Sequence, residues 1–498
     1  MYKKISIVAL ATFVVVCCFP FQMFASAGTL DTTFNNGGIQ PGTNSTFINN
    51  ILNNSEGYGI AIQADGKTVV VGLVAENGID KFAIARFTTT GVLDTTFNSA
   101  GTLPGTVSTA IDSPTNFSEA YGVAIQTDGK IVVSGFVIEE GLARFAVARF
   151  NSDGSLDATF NSAGTLPGTV STPIDSPTNN SYGYYVAFQS DGKIVVAGDV
   201  TEKGINKIAL ARFNSDGTLD TTFNNGGTLP GTVSTTIDDV TNPTFSYSLA
   251  VQSDDKIVVV GQVIEGGITK FGIVRFNSNG TLDTTTFNSG GTLPGTFSTF
   301  VDAVGNSSFD SSYKIAIQAD GKIVSTGLVI EGGIALLAVV RYNTDGSLDA
   351  TFNPSGTLPG TLSIPIGMEA SGSGVAVQTD GKILISGIST TAGISEFTVV
   401  RLTSDGTLDS SFNSDGTQPG VATTTVDNDP VAGEFAFANI ALQVDGKIVI
   451  GGYQSSLSGP SRFIVARFFG DQIPTPPTPT PTSIACSLRL INKYGPRL

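Results

Sequence analysis

The stretch that decides the fold is Tyr58-Gly-Ile-Ala-Ile-Gln63-Ala-Asp-Gly-Lys67-Thr-Val-Val-Val-Gly72-Leu-Val74, continued by Phe82-Ala-Ile-Ala-Arg86-Phe87. Tyr58–Gln63 alternates apolar and polar residues and stops at Asp65-Gly66, a hairpin-turn dipeptide that needs positive φ. Lys67–Val74 is an almost unbroken Val run, the pattern of a strand buried on both faces. A Glu-Asn-Gly turn leads into Phe82–Phe87. After a second turn, Asn151–Gly154 in the next unit, a Gly/Pro-rich connection (Gly101–Gly105) leads to a Thr-rich strand, Thr106–Ile111. The reading is four antiparallel strands and no helix.

Outward from this stretch, everything repeats. Leu-Asp-x-x-Phe-Asn starts at Leu30, Leu93, Leu156, Leu219, Leu348 and Leu408, and with one inserted Thr at Leu282. Gln-x-Asp-Gly-Lys starts at Gln63, Gln126, Gln189, Gln318, Gln378 and Gln443, and reads Gln-Ser-Asp-Asp-Lys at Gln252. An apolar run ends in Arg86, Arg149, Arg212, Arg275, Arg341, Arg401 and Arg467. One four-stranded sheet cannot bury both faces alone, but seven packed radially can. The alternative is an open solenoid, which needs polar caps. The termini favour closure. The last unit stops near Asp471 after its third strand, and the missing outer strand is available as Thr43–Ile48 near the start of the chain. The expected fold is all-β: a seven-bladed β-propeller over residues 28–471, closed by its N-terminal strand. These repeats resemble the delta-60 repeat, a β-propeller family of bacterial exported proteins. The resemblance implies this fold and compartment and implies no activity.

The flanks read differently. Lys3 and Lys4, the apolar run Ile5–Cys18 and the small residues Ala25-Ser26-Ala27 predict a signal peptide over 1–27, cleaved after Ala27. A retained signal anchor is the alternative. Cys17 and Cys18 leave with the signal, and a lone Cys486 cannot close an internal disulfide. No later run is long enough to span a membrane. Residues 472–483 are a Pro/Thr-rich spacer and 484–498 a short basic tail with Arg489, Lys493 and Arg497. The expected location is outside the cell or on its surface.

Composition restricts function. With 26 basic against 42 acidic residues the net charge is −16, so nucleic acid is not an expected partner. The absence of histidine excludes Ser-His-Asp and Cys-His catalysis and His-ligated zinc. Proton transfer would fall to Asp, Glu, Tyr, Lys or Cys, and off-pattern acids such as Asp199 and Asp239 are the candidates. The Asn-x-Asp-Gly-x-Leu-Asp turns, as at Asn214, Asp216 and Asp220, partly match a calcium loop, but Arg212 falls on the first ligand position. No metal or cofactor is expected. Arg86 and its six counterparts, with Asp31, Asp94, Asp157, Asp220, Asp283, Asp349 and Asp409, read as repeated architectural ion pairs.

The informative pattern breaks the sevenfold period. Tyr58, Tyr121, Tyr184, Tyr247 and Tyr313 occupy one position in five units, where units six and seven have Ser373 and Ala438. Glu76, Glu139, Glu202, Glu265 and Glu331 occupy the second turn of the same five units. Both rows are expected on one face as an arc with a two-blade gap. A rigid apolar ring with a polar tip suits contact. The alternative is recent duplication, with Tyr wedged between sheets and Glu solvated. The expected function is a monomeric, non-catalytic binding or scaffold module for a protein, peptide or glycan. The runner-up is a carboxylate-dependent glycan-cleaving enzyme, and a structural spacer comes third.

Overall fold

The computed structural model describes residues 26–301, 307–426, 435–455 and 459–471. The expected signal core, the Pro/Thr spacer and the basic tail lie outside these residues. After the outer strand β1 (Thr43–Thr46), blade one is β2 (Ser55–Ile62), β3 (Thr68–Glu76), β4 (Ile79–Phe87) and β5 (Thr106–Thr109). Blade two is β6 (Ser118–Ile125), β7 (Ile131–Glu139), β8 (Leu142–Phe150) and β9 (Thr169–Thr172). Blade three is β10 (Asn180–Phe188), β11 (Ile194–Glu202), β12 (Ile205–Phe213) and β13 (Thr232–Thr235). Blade four is β14 (Thr244–Val251), β15 (Ile257–Glu265), β16 (Ile268–Phe276) and β17 (Thr296–Thr299). Blade five is β18 (Ser307–Ile317), β19 (Ile323–Glu331), β20 (Ile334–Tyr342) and β21 (Thr361–Ile364). Blade six is β22 (Glu369–Val377), β23 (Ile383–Thr391), β24 (Ile394–Leu402) and β25 (Val421–Thr424). Blade seven joins β26 (Phe435–Leu442), β27 (Ile448–Gln454) and β28 (Arg462–Phe468) to β1, in the order β1-β28-β27-β26.

The first strand of each blade contacts the first strand of the next, and β26 contacts β2, so these strands ring a central channel. The core lies between blades. Val69, Val71, Phe82 and Ile84 of blade one pack with Ile131, Val133 and Val137 of blade two, under Phe97 and Ile111. The turns follow their residues. Asn77 and Gly78 both have positive φ (53° and 79°), the geometry of a two-residue hairpin. At the Asp65-Gly66 turn only Gly66 does (83°). In the variant unit Asp255 takes that glycine's place at φ 63°, and its carboxylate accepts hydrogen bonds from the N–H and hydroxyl of Ser190 in the preceding blade.

The Arg and Asp rows meet at the end of each third strand. Arg86 Nε lies 2.8 Å from Asp94 Oδ2, its NH1 donates to the Ser152 carbonyl of the next blade, and its guanidinium lies 4.4 Å from the centre of the Phe97 ring. Each arginine thus pins its own turn and fastens one blade to the next. At the ring seam the same parts come from opposite ends of the chain. Arg467 Nε lies 2.8 Å from Asp31, Gly28 N–H donates to Phe469 O, and Phe469 N–H donates to Thr29 O. Ala27 O accepts from Asn413 N–H, as Asp153 O accepts from Asn98 N–H, so the folded ring already includes Ala27. Arg401 pairs here with the Asp471 carboxylate at 2.8 Å.

Candidate binding site in the central channel

Every first strand carries a β-bulge, and its place explains the tyrosines. Register shifts fall between Gly57 and Gly59, Ala120 and Gly122, Gly183 and Tyr185, Ser246 and Ser248, and Ser312 and Lys314. The unpaired residues are Tyr58, Tyr121, Tyr184, Tyr247 and Tyr313. Blade six has its bulge at Ser373, and blade seven has a wider one between Ala436 and Asn439. A bulge re-aims a side chain that the pleat would otherwise bury. The tyrosines therefore stand half-way down the channel, not at its rim.

There they form a belt. Tyr58 stacks on Tyr121 at 4.6 Å between ring centres, and Tyr121 meets Tyr184 edge-on at 5.3 Å. Tyr247 meets Tyr313 edge-on at 5.4 Å. Tyr453, from the second strand of blade seven, meets Tyr58 at 5.6 Å. The expected two-blade gap therefore narrows, since blade seven supplies a ring from a different position. Tyr58 is 8% exposed, while the other four of the row are half-buried.

The glutamates do not join this belt. Glu76 and its counterparts end the second strands at the rim, opposite the first residues of the third strands. Glu76 accepts from Asn49 Nδ2 at 2.6 Å and Lys81 Nζ at 3.0 Å. Glu139 accepts from the Ser171 hydroxyl, and Glu202 and Glu265 pair with Lys207 and Lys270. Glu331 holds the same rim position. Hence the expected single arc of Tyr and Glu is two separate features, and Glu76, Glu139, Glu202 and Glu265 are tied down at the blade edge.

Charge in the channel is placed unevenly. On blades one and two, Glu56 accepts from the Tyr58 hydroxyl at 2.6 Å and Glu119 from Tyr121 at 2.5 Å. Burial and the Glu56 charge raise the Asp80 carboxyl above its ordinary range. Burial, with the charges of Asp80 and Glu56, outweighs the Tyr121 bond and raises Glu119. On blade three, Asp199 takes the place of Leu73 and Phe136 in the earlier blades. It is 6% exposed and accepts from Ser246 N–H at 2.6 Å and from the Tyr184 hydroxyl. Burial raises its carboxyl well above the usual range despite both bonds. Across the channel, Lys314 of blade five places its ammonium 3.9 Å from the centre of the Tyr185 ring of blade three. Burial lowers this amine to about 7.

Sequence reading singled out the tyrosine row and Asp199 but missed Tyr185 and Lys314. The available signal was the position after each bulged residue, which reads Gly59, Gly122, Tyr185, Ser248, Lys314, Gly374 and Asn439. Asp239 is exposed and closes a local turn with Thr241. Asp216 likewise bonds Thr218, and among the described residues no group of three acidic or cysteine side chains is placed to hold a metal ion.

A repeat-family profile described as "domain of unknown function (DUF5122) beta-propeller" matches at residues 63–97, 126–160, 189–223, 252–285, 318–352, 378–412 and 443–471. The chain is thus a β-propeller repeat protein with one match in each blade. No curated protein matches its sequence. Among solved structures, a Dyadobacter fermentans protein of unknown function aligns at 9% identity, covering 86% of this chain and 100% of that one, with a TM-score of 0.42. A polysaccharide lyase aligns at 10% identity, covering 83% and 90%, with a TM-score of 0.44. A Bombyx mori β-fructofuranosidase aligns at 10% identity, covering 84% and 89%, with a TM-score of 0.29. Likenesses this distant decide nothing about chemistry. Among the described residues no helix is long and apolar enough to cross a membrane.

Proposed function

We propose that this protein is an exported binding module whose ligand enters the central channel and lies against the tyrosine belt. The observation that carries the reading is the broken symmetry. A belt needed only for packing would follow the sevenfold repeat, as the Arg–Asp pairs do. Instead Tyr58, Tyr121, Tyr184, Tyr247 and Tyr313 skip blades six and seven, where the row has Ser373 and Ala438, and blade seven supplies Tyr453 from another position. Flat aromatic faces edged with hydroxyls and carboxyls suit a ligand with apolar faces and many hydroxyls, such as a saccharide chain end. The predicted signal peptide supports a role outside the cell. Binding of soluble oligosaccharides to the wild type and to Tyr247→Ala tests the proposal. Tyr247 is half-buried and stands where blades six and seven have Ser373 and Ala438, so the variant should fold and bind at least tenfold more weakly. Equal binding by a folded variant would refute the reading.

One observation favours the glycan-cleaving alternative: the raised Glu119 carboxyl beside Glu56 and Asp80, a pairing that can separate acid from base. Release of new reducing ends by the wild type, abolished in Glu119→Gln, would establish it. Retained ligand with no such release supports the binding module.

A further inference from the structure

The channel holds one amine whose partners do not account for it. Lys314 follows the bulged Tyr313 on β18, at a position that is Gly, Ser or Asn in five of the other six blades. Its ammonium rests on the ring of Tyr185 of blade three, two blades away. Among the described residues its ammonium makes no ion pair and no hydrogen bond. The nearby acid, Asp199, is turned into the seam between blades three and four and committed to Ser246 N–H and Tyr184. Glu56, Asp80 and Glu119 belong to blades one and two, Asp310 on β18 itself is buried and accepts from Val301 N–H, and Glu369 is an exposed residue at the start of β22. The position needs no cation for folding, because Gly59, Gly122, Ser248 and Gly374 serve there. A half-buried ammonium with three unused donors costs stability unless something supplies acceptors.

We infer that Lys314, braced on Tyr185 and flanked by Tyr247 and Tyr313, is a subsite for a ligand carboxylate, so that the channel prefers an acidic sugar to its neutral counterpart. This rests on the channel-binding reading above and adds polarity to it. The carboxylate end faces blades three to five, while the hydroxyl end faces the acceptors Glu56 and Glu119. The reverse orientation would set carboxylate against carboxylate. Charge-assisted bonds to an ammonium in a half-dry channel are stronger than those to hydroxyls, which makes the preference selective.

The test compares glucuronate with glucose, which differ by a carboxylate in place of a hydroxymethyl group. Calorimetry at pH 6, below the amine's value of about 7, keeps Lys314 charged. The wild type should bind glucuronate at least tenfold more tightly than glucose. Lys314→Ser, which installs the residue blade four already uses, should fold and lose the preference. Lys314→Arg should retain most of it. Equal binding of the two sugars by the wild type, or an unchanged preference in Lys314→Ser, would overturn the inference while leaving the channel reading intact. Benzoate against benzyl alcohol carries the same charge contrast without a sugar. If neither sugar binds but benzoate alone does, losing its binding in Lys314→Ser, the carboxylate subsite stands and the saccharide reading falls. If none of the four compounds binds, both fall.

Discussion

Asp31→Asn tests how the ring is held shut. Asp31 is fully buried, and its Oδ2 lies 2.8 Å from Arg467 Nε and 3.6 Å from Lys447 Nζ. Its Oδ1 accepts from the Thr33 hydroxyl at 2.5 Å and the Thr33 N–H at 3.0 Å. Asparagine can keep the Thr33 bonds through its carbonyl. Its amide then faces the guanidinium donor to donor, and Arg467, 4% exposed, loses its carboxylate. Removing one partner of a buried pair costs about 3–5 kcal/mol, because the remaining charge stays buried. The same change at Asp157, paired with Arg149 at 2.7 Å, costs a similar amount locally but joins parts of one blade. Of the seven Arg–Asp pairs only Asp31–Arg467 joins parts of the chain 436 residues apart. Native-state hydrogen exchange at Thr43–Thr46 reads the difference. Asp31→Asn should speed exchange there by roughly a hundredfold or more, as about 3 kcal/mol requires, and Asp157→Asn should leave that strand nearly unchanged. Unchanged exchange in Asp31→Asn, or equal acceleration in both variants, would refute the seam argument.

Stability should depend on acid in a defined direction. Burial alone would raise Asp31, Asp94, Asp157, Asp220, Asp283, Asp349 and Asp409, but hydroxyl bonds and the paired arginines outweigh it and hold all seven below the ordinary range. Their contribution is complete above the unfolded value near pH 4 and is lost as pH falls through the folded values, so thermal melting should drop steeply below about pH 4. Asp199 has the opposite sign. Because burial raises it, its carboxylate destabilises the fold at pH 7, and Asp199→Asn should melt higher at pH 7 with the gain fading toward pH 4. A lower melting point at pH 7 would contradict this. Chelator should leave melting unchanged, since Asp216 is committed to Thr218 and Arg212 holds the first ligand position of the calcium-like turn. A calcium-dependent rise of several degrees would overturn that expectation.

The architecture was legible because it is enforced seven times over. A Val run between two Gly turns has few structural solutions, and the arginine that ends each third strand needs a fixed partner, so periodicity picked out the Arg and Asp rows, and the structure pairs Arg467 with Asp31. The strands came out slightly displaced, with Ser55–Ile62 observed where Tyr58–Gln63 was expected, because pairing extends beyond the apolar stretch. What periodicity could not show was the bulge. It costs no residue type that a pattern would flag, yet it moves Tyr58 and its row from an expected rim to the middle of the channel. The Glu row misled for the converse reason. Glu76 and Tyr58 share the same five blades, but shared blades do not imply a shared site, and Glu76 is held by Lys81 and Asn49 at the blade edge. Lys314 and Tyr185 escaped notice because each is a single departure at a position otherwise small, and one departure carries little weight until a structure shows two of them touching across the channel. In a repeat protein the shared residues are fixed by what every blade must do. Selectivity for the proposed ligand would therefore come from residues that only some blades have, among them the Tyr belt, Glu56, Glu119, Asp199, Tyr185 and Lys314.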